Sequence, residues 1–157
     1  ALLVSDPSGR AAVTRPGEEE GCPLPPAQPV AARDEALHCA DELVLKAAAE
    51  EDAAAELQML EEACRLREAW LHRRHLEVHA AHAAAHTAAM AASDWAAALR
   101  HCARLVEQYE EVYPSWHPIS GLQMFTLAEL HENSGEITEA LSWYAKALQI
   151  LRLTHGT

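Results

Sequence analysis

Apolar residues recur at three- and four-residue steps along the second half of the chain. Trp95, Ala98, Leu99, Cys102, Leu105, Val106, Tyr109 and Val112 form one stripe; Ala140, Leu141, Tyr144, Ala147, Leu148 and Leu151 form another. That spacing puts each set on one face of an α-helix. Between Arg33 and Tyr113 there is neither glycine nor proline, so nothing in the run opposes helix. A single helix of that length, at about 1.5 Å per residue, would outrun the width of a domain. Breaks are therefore expected near Ala49–Asp52, near His72–His75 and at Ser93–Asp94, where Ser or Asp can cap a new start. In "YPSWHP", Pro114 ends one helix and Pro118 suits the first turn of the next. The pattern predicts helices over 34–48, 52–71, 75–91, 94–113, 118–133 and 137–154.

The last two helices make a helix–turn–helix spanning 121–154. Leu127 and Ala128 lie in the first helix, Gly135 in the turn, and Ala140, Tyr144 and Ala147 on the second. Small residues stand where paired helices must approach, and glycine permits the tight reversal. Tyr144 and Ala147 are expected to pack toward a neighbouring unit. The pattern resembles the tetratricopeptide repeat (TPR). The preceding unit, about 79–112, repeats it: "SDWAAAL" answers "GEITEAL". Ser93 stands for Gly135, Trp95 for Ile137, Ala98 for Ala140, Cys102 for Tyr144 and Leu105 for Ala147, each 42 residues apart. An ordinary antiparallel bundle predicts the stripes but not the matched small residues. The expected fold is all-α, with TPR-like antiparallel helix pairs forming a superhelical arm over 34–157.

Residues 1–33 read differently. "ALLVSDPSGRAAVTR" suggests two short strands about a turn at Asp6, Pro7, Ser8 and Gly9. "PGEEEGCPLPPAQPV" has the composition of a disordered Pro/Glu-rich linker. "ALLV" is too short and wrongly flanked for a signal peptide, and the start is expected to be a cut.

Composition narrows the function. The formal charge is −12, from 24 acidic against 12 basic residues, which opposes nucleic-acid binding because that requires a cationic surface. Arg65, Arg67, Arg73 and Arg74 make a basic run expected to be a solvated face. No apolar run reaches the roughly 20 residues of a membrane span. Cys22, Cys39, Cys64 and Cys102 show no zinc or disulfide spacing. Cys64 and Cys102 fall on helical faces as small hydrophobes, and a reducing cytoplasmic or nuclear location fits. His72, His75, His79, His82 and His86 step by three and four, a spacing that can chelate a metal. The break near His75 interrupts the stripe, and no cysteine or carboxylate clearly converges on it, so no metal ligand is expected. No glycine elbow or phosphate loop is present, and no catalytic or cofactor-binding residue is assigned.

The words "LHRRHLEVHAAH", "SDWAAAL", "YPSWHPISGLQMFTLAEL" and "ALSWYAKALQILRLTHG" carry a more specific likeness. They resemble the C-terminal helical region of SET-and-MYND-domain (SMYD) protein-lysine methyltransferases. The carrying residues are Tyr113-Pro114, His117-Pro118, Gly121-Leu122-Gln123 and Thr154-His155-Gly156. The resemblance covers about 34–157 and implies an arm that faces the SET domain and shapes access to the substrate. It implies S-adenosylmethionine and zinc for SET and MYND parts that this sequence lacks. Implied partners are the SET domain in cis and histone or non-histone lysine substrates. Residues 1–15 would be a hairpin following the SET domain.

The concave face of such an arm would be lined by Ala83, Thr87 and Met90, then Leu122, Phe125, Thr126 and Glu129. A clamp for a C-terminal carboxylate needs cations there, whereas this face offers Glu129 and apolar groups. An apolar or basic partner fits better. A free-standing TPR scaffold, similar to kinesin light chain, is the alternative. A metal-binding helical protein is a third class, resting on the histidines alone.

Overall fold

The structure, a computed structural model, describes residues 30–156. Among these the chain forms six α-helices: α1 (Val30–Ala47), α2 (Ala53–Trp70), α3 (Leu76–Ala91), α4 (Trp95–Val112), α5 (Pro118–Asn133) and α6 (Ile137–His155). No strand occurs among the described residues. The strong packing contacts join only consecutive helices, from α1·α2 to α5·α6. A closed bundle would also bring distant helices together; an open repeat array does not. The fold is thus all-α, in a TPR-like arrangement of antiparallel helices.

Local chemistry sets the ends. The Asp52 carboxylate accepts from the Ala54 and Ala55 amides at the start of α2. Asp94 accepts from Ala97 at the start of α4, at 2.9 Å. His75 and His117, also 42 apart, each accept a backbone N–H through Nδ1 at 3.3 Å and cap α3 and α5. Pro118 stands in the first turn of α5, where no N–H is missed. The Tyr113 and His117 rings stack at 4.4 Å across the α4–α5 link.

The matched turns confirm the 42-residue register at the level of hydrogen bonds. Ser93 has φ +57° and Gly135 φ +81°. Ser93 N donates to Met90 O (3.2 Å), as Gly135 N does to Glu132 O (2.9 Å). Asp94 N reaches Ala89 O and Glu136 N reaches His131 O, both at 2.9 Å. Each turn closes its helix with a left-handed residue, which only glycine adopts without cost. The register also extends further back than the sequence motifs suggest. Helix α2 begins 42 residues before α4, and Asp52 caps it as Asp94 caps α4. Among the described residues the array therefore contains three helix pairs.

Small residues fill the contacts between helices. Ala40, Ala63, Ala85, Ala97, Ala98, Ala128, Ala140 and Ala147 are all buried. Gly121 on α5 faces α6, where an added Cβ would lie 3.0 Å from Ile150 Cγ2. Val78, Cys102, Leu127 and Leu130 are the largest fully buried side chains. Buried apolar surface contributes roughly 25 cal/mol per Å², and here alanine supplies much of it through close approach rather than bulk.

Several expectations are corrected. Helix α1 begins at Val30, inside the segment read as linker, because "VAARDEAL" opposes helix nowhere. The expected hairpin over 1–15 lies outside the described residues. Leu141 and Leu148 on the α6 stripe are exposed, since no further helix among the described residues covers that face. Tyr144 lies against Phe125 of its own pair, ring centres 5.2 Å apart, as well as facing the preceding unit. Arg67 is not solvated. Its guanidinium is buried, pairs with Asp41 at 2.7 Å and donates to Glu77 O at 3.2 Å, tying α1, α2 and α3 together.

Candidate functional site

The expected partner-facing residues fall on one side of α3 and α5, and the structure brings part of the set into a groove. Met90, Thr126 and Glu129 line a cavity of about 450 Å³ with Trp95, Leu130, Glu132, Asn133 and Tyr144. Phe125 stands beside it through its edge-on contact with Tyr144. Leu122 is exposed one turn earlier on α5, outside the groove lining. Thr87 also lies outside, and its hydroxyl donates to Ala83 O at 3.1 Å. The Thr126 hydroxyl likewise turns back to Leu122 O. Neither threonine aims a free donor outward.

Helix α6 adds what the sequence reading missed. The Tyr144 phenol donates to Glu132 Oε2 at 2.7 Å, bridging α6 to α5. Hydrogen bonding to Glu132, then burial, then the charges of Glu132 and Glu129 push its pKa up to about 12. Trp95, at the start of α4, puts a half-exposed indole on the opposite wall. Its place in the apolar stripe of α4 hid this role, because the first turn of a helix can project beyond the core that the stripe covers. The groove thus combines Met90, Trp95 and the Tyr144 ring with the carboxylates of Glu129 and Glu132. Such a lining suits a cationic side chain with an apolar stem.

The histidines do not form the uninterrupted stripe that their spacing allows. His72 Nδ1 accepts from the Arg74 amide and His75 caps α3. His79 Nδ1 lies 2.9 Å from Gln108 Oε1, and His86 Nδ1 lies 3.1 Å from Ala98 O. His82 is different. It is buried, and its Nδ1 is 3.0 Å from His101 Nδ1 on α4. Cys64 of α2 joins them: the three ligand atoms lie within 4.8 Å of one another. Glu68 of α2 contacts His82 Nε2 at 3.1 Å. The expectation that no cysteine or carboxylate converges on the histidines is therefore wrong. These residues are far apart in sequence and meet only because α2, α3 and α4 are neighbours. Burial, then Glu68, raises the Cys64 thiol pKa to about 12. Burial, followed by His82, holds His101 below its ordinary value.

Fold and groove together define an all-α helical-repeat array with one groove that is part apolar and part acidic. No family model matches the chain. Over 62 residues it is 45% identical to the histone-lysine N-methyltransferase ASHR1 of Arabidopsis thaliana. The match takes 40% of this chain and spans 13% of that relative's length. The chain is thus related in part to a methyltransferase.

Proposed function

We propose that this chain is the C-terminal regulatory, substrate-shaping and protein-interaction arm of a SMYD-type protein-lysine N-methyltransferase. The carrying observation is the groove of Met90, Trp95, Tyr144, Glu129 and Glu132, in a chain partly similar to a histone-lysine methyltransferase. Lysine-bearing segments are cationic with apolar stems, and this lining complements both features. The arm supplies shape and charge; S-adenosylmethionine and zinc belong to the SET and MYND parts of the parent. The exposed Leu122 and Phe125 beside the groove suit contact with the SET domain in cis. Cytoplasmic and nuclear location follow from that role.

The test uses the full-length parent and a basic lysine peptide. Glu129→Lys with Glu132→Lys should raise KM for the peptide at least several-fold and leave KM for S-adenosylmethionine unchanged. Unchanged peptide kinetics would remove the groove from substrate access. The 157-residue chain alone should transfer methyl groups only at background rate, and genuine turnover would contradict the assignment.

A second reading, a free-standing TPR scaffold, draws on the helix pairs, two of them with matched 42-residue turns, and on packing mainly between consecutive helices. The reading frame upstream of Ala1 separates the two. A SET domain supports the arm; more helix pairs of about this length support the scaffold.

A further inference from the structure

We infer that Cys64, His82 and His101 form a binding site for a zinc-class divalent cation, walled by α2, α3 and α4. All three side chains are buried, at 4, 4 and 7% exposure. A thiol and two imidazoles are the ligand set that such a borderline-soft ion prefers. The spacing suits it as well. Two nitrogens bound tetrahedrally at about 2.0–2.1 Å from zinc sit roughly 3.3 Å apart. The two Nδ1 atoms are 3.0 Å apart, with the ligand atoms of all three residues within 4.8 Å.

Proton bookkeeping points the same way. His82 Nε2 faces the Glu68 carboxylate, which can only accept, so that nitrogen carries a proton, and in the neutral ring Nδ1 presents a lone pair. His101 Nε2 faces Glu61 Oε1 at 3.5 Å, yet it is buried without a hydrogen-bond partner. If His101 Nδ1 holds the ring's one proton, a lone pair on Nε2 confronts a carboxylate. If Nε2 holds it, two Nδ1 lone pairs confront each other. A cation between the two Nδ1 atoms relieves that repulsion, whether a proton carried by His82 against Glu68 or a metal ion. A divalent ion there suits both rings in their neutral form: both Nδ1 lone pairs bind metal, both Nε2–H groups point at carboxylates, and Cys64 supplies a third ligand.

That arrangement is the carboxylate–histidine–metal pattern, with Glu68 and Glu61 as positioning residues. The carboxylates are themselves held. Arg100 Nη2 donates to Glu61 at 2.7 Å, and Arg104 Nη2 lies 3.8 Å from Glu68. Helical spacing prepares the set, since Glu61, Cys64 and Glu68 share one face of α2, while Arg100, His101 and Arg104 share one face of α4. A cavity of about 310 Å³ lies beside the site, lined in part by His82 and Glu68. Binding converts the Cys64 thiol to a metal-bound thiolate and releases its proton to solvent.

The experiment titrates Zn²⁺, and in parallel Co²⁺, into the chelator-treated 157-residue chain. Expected are one-to-one Zn²⁺ binding with buffer-dependent proton release, a higher Tm, and thiolate-to-cobalt charge-transfer absorption with tetrahedral visible bands. Cys64→Ser should abolish the charge-transfer band. Where that variant loses helix by circular dichroism, His82→Asn with His101→Asn provides the same test through lost stoichiometric binding. Glu68→Gln should weaken binding about 10- to 100-fold with the cobalt spectrum unchanged. His72→Gln with His75→Gln should change neither quantity. The site is overturned if no saturable binding occurs, if the charge-transfer band survives in Cys64→Ser, or if the His72/His75 variant loses the metal.

Discussion

Ser93 and Gly135 occupy equivalent turns with opposite chemistry, and exchanging their residue types should move stability in opposite directions. Ser93 sits at φ +57°, where an L-residue costs about 1–2 kcal/mol. Ser93→Gly removes that cost but loosens the unfolded chain, which takes back about 0.5–1 kcal/mol. The net expectation is a gain of about 0.5–1 kcal/mol, or a few degrees in Tm for a chain of this size. Gly135 has φ +81°, and an added Cβ meets nothing within 4 Å. Gly135→Ala therefore meets no steric obstacle beyond its own backbone, and the expected loss is about 0.5–1.5 kcal/mol. Urea unfolding followed by far-UV circular dichroism, with m compared between variants, reads both values. A destabilised Ser93→Gly, or a neutral Gly135→Ala at unchanged m, would refute the claim that one left-handed turn recurs every 42 residues.

Gly121→Ala should gain up to about 1 kcal/mol in helix propensity and lose more than that to crowding. The new methyl would stand 3.0 Å from Ile150 Cγ2 and 3.2 Å from Leu151 Cδ2, an overpacking worth about 1–3 kcal/mol. Combining it with Ile150→Ala should cost less than the sum of the two changes, as a double-mutant cycle in urea would read. Arg67→Ala should cost about 1–3 kcal/mol by chemical denaturation, through lost packing and hydrogen bonds. Asp41→Asn should cost less than about 1 kcal/mol, because Asp41 is exposed. Tyr144 should titrate near 12, above the ordinary 10, in a phenolate absorbance titration. Glu132→Gln should bring that step down. The folded value is the higher one, so this group's stabilisation is complete below pH 10 and lost as pH rises toward 12.

Helix identity was legible because alanine-rich sequence without glycine or proline leaves only the positions of the breaks to be found. Asp52, Asp94, Pro114 and Pro118 mark them within a residue or two. The pairing of α3 with α4 and of α5 with α6 was legible through Ser93, Gly135 and the small residues in step. The third pair was not. Helix α1 carries no matching motif, and Leu60 stands where Cys102 and Tyr144 stand in the later pairs. In the groove, Met90, Thr126 and Glu129 could be placed from helical period alone. Trp95 and Tyr144 required knowing how far each helix projects past its neighbour.

Sequence alone thus determined the local content of this protein: where the backbone is helical, where it reverses, and which residues are small enough for helices to touch. These are short-range properties, fixed by propensity, capping and the sign of φ at one residue. Tertiary structure decided which side chains meet across those helices. Cys64, His82 and His101 share no spacing rule, yet three packed helices bring their ligand atoms within 4.8 Å. Arg67 looked solvated within a basic run, yet packing buried it between α1 and α3. Convergence of that kind depends on the rotation of each helix about its axis, which the long-range fit of small residues sets.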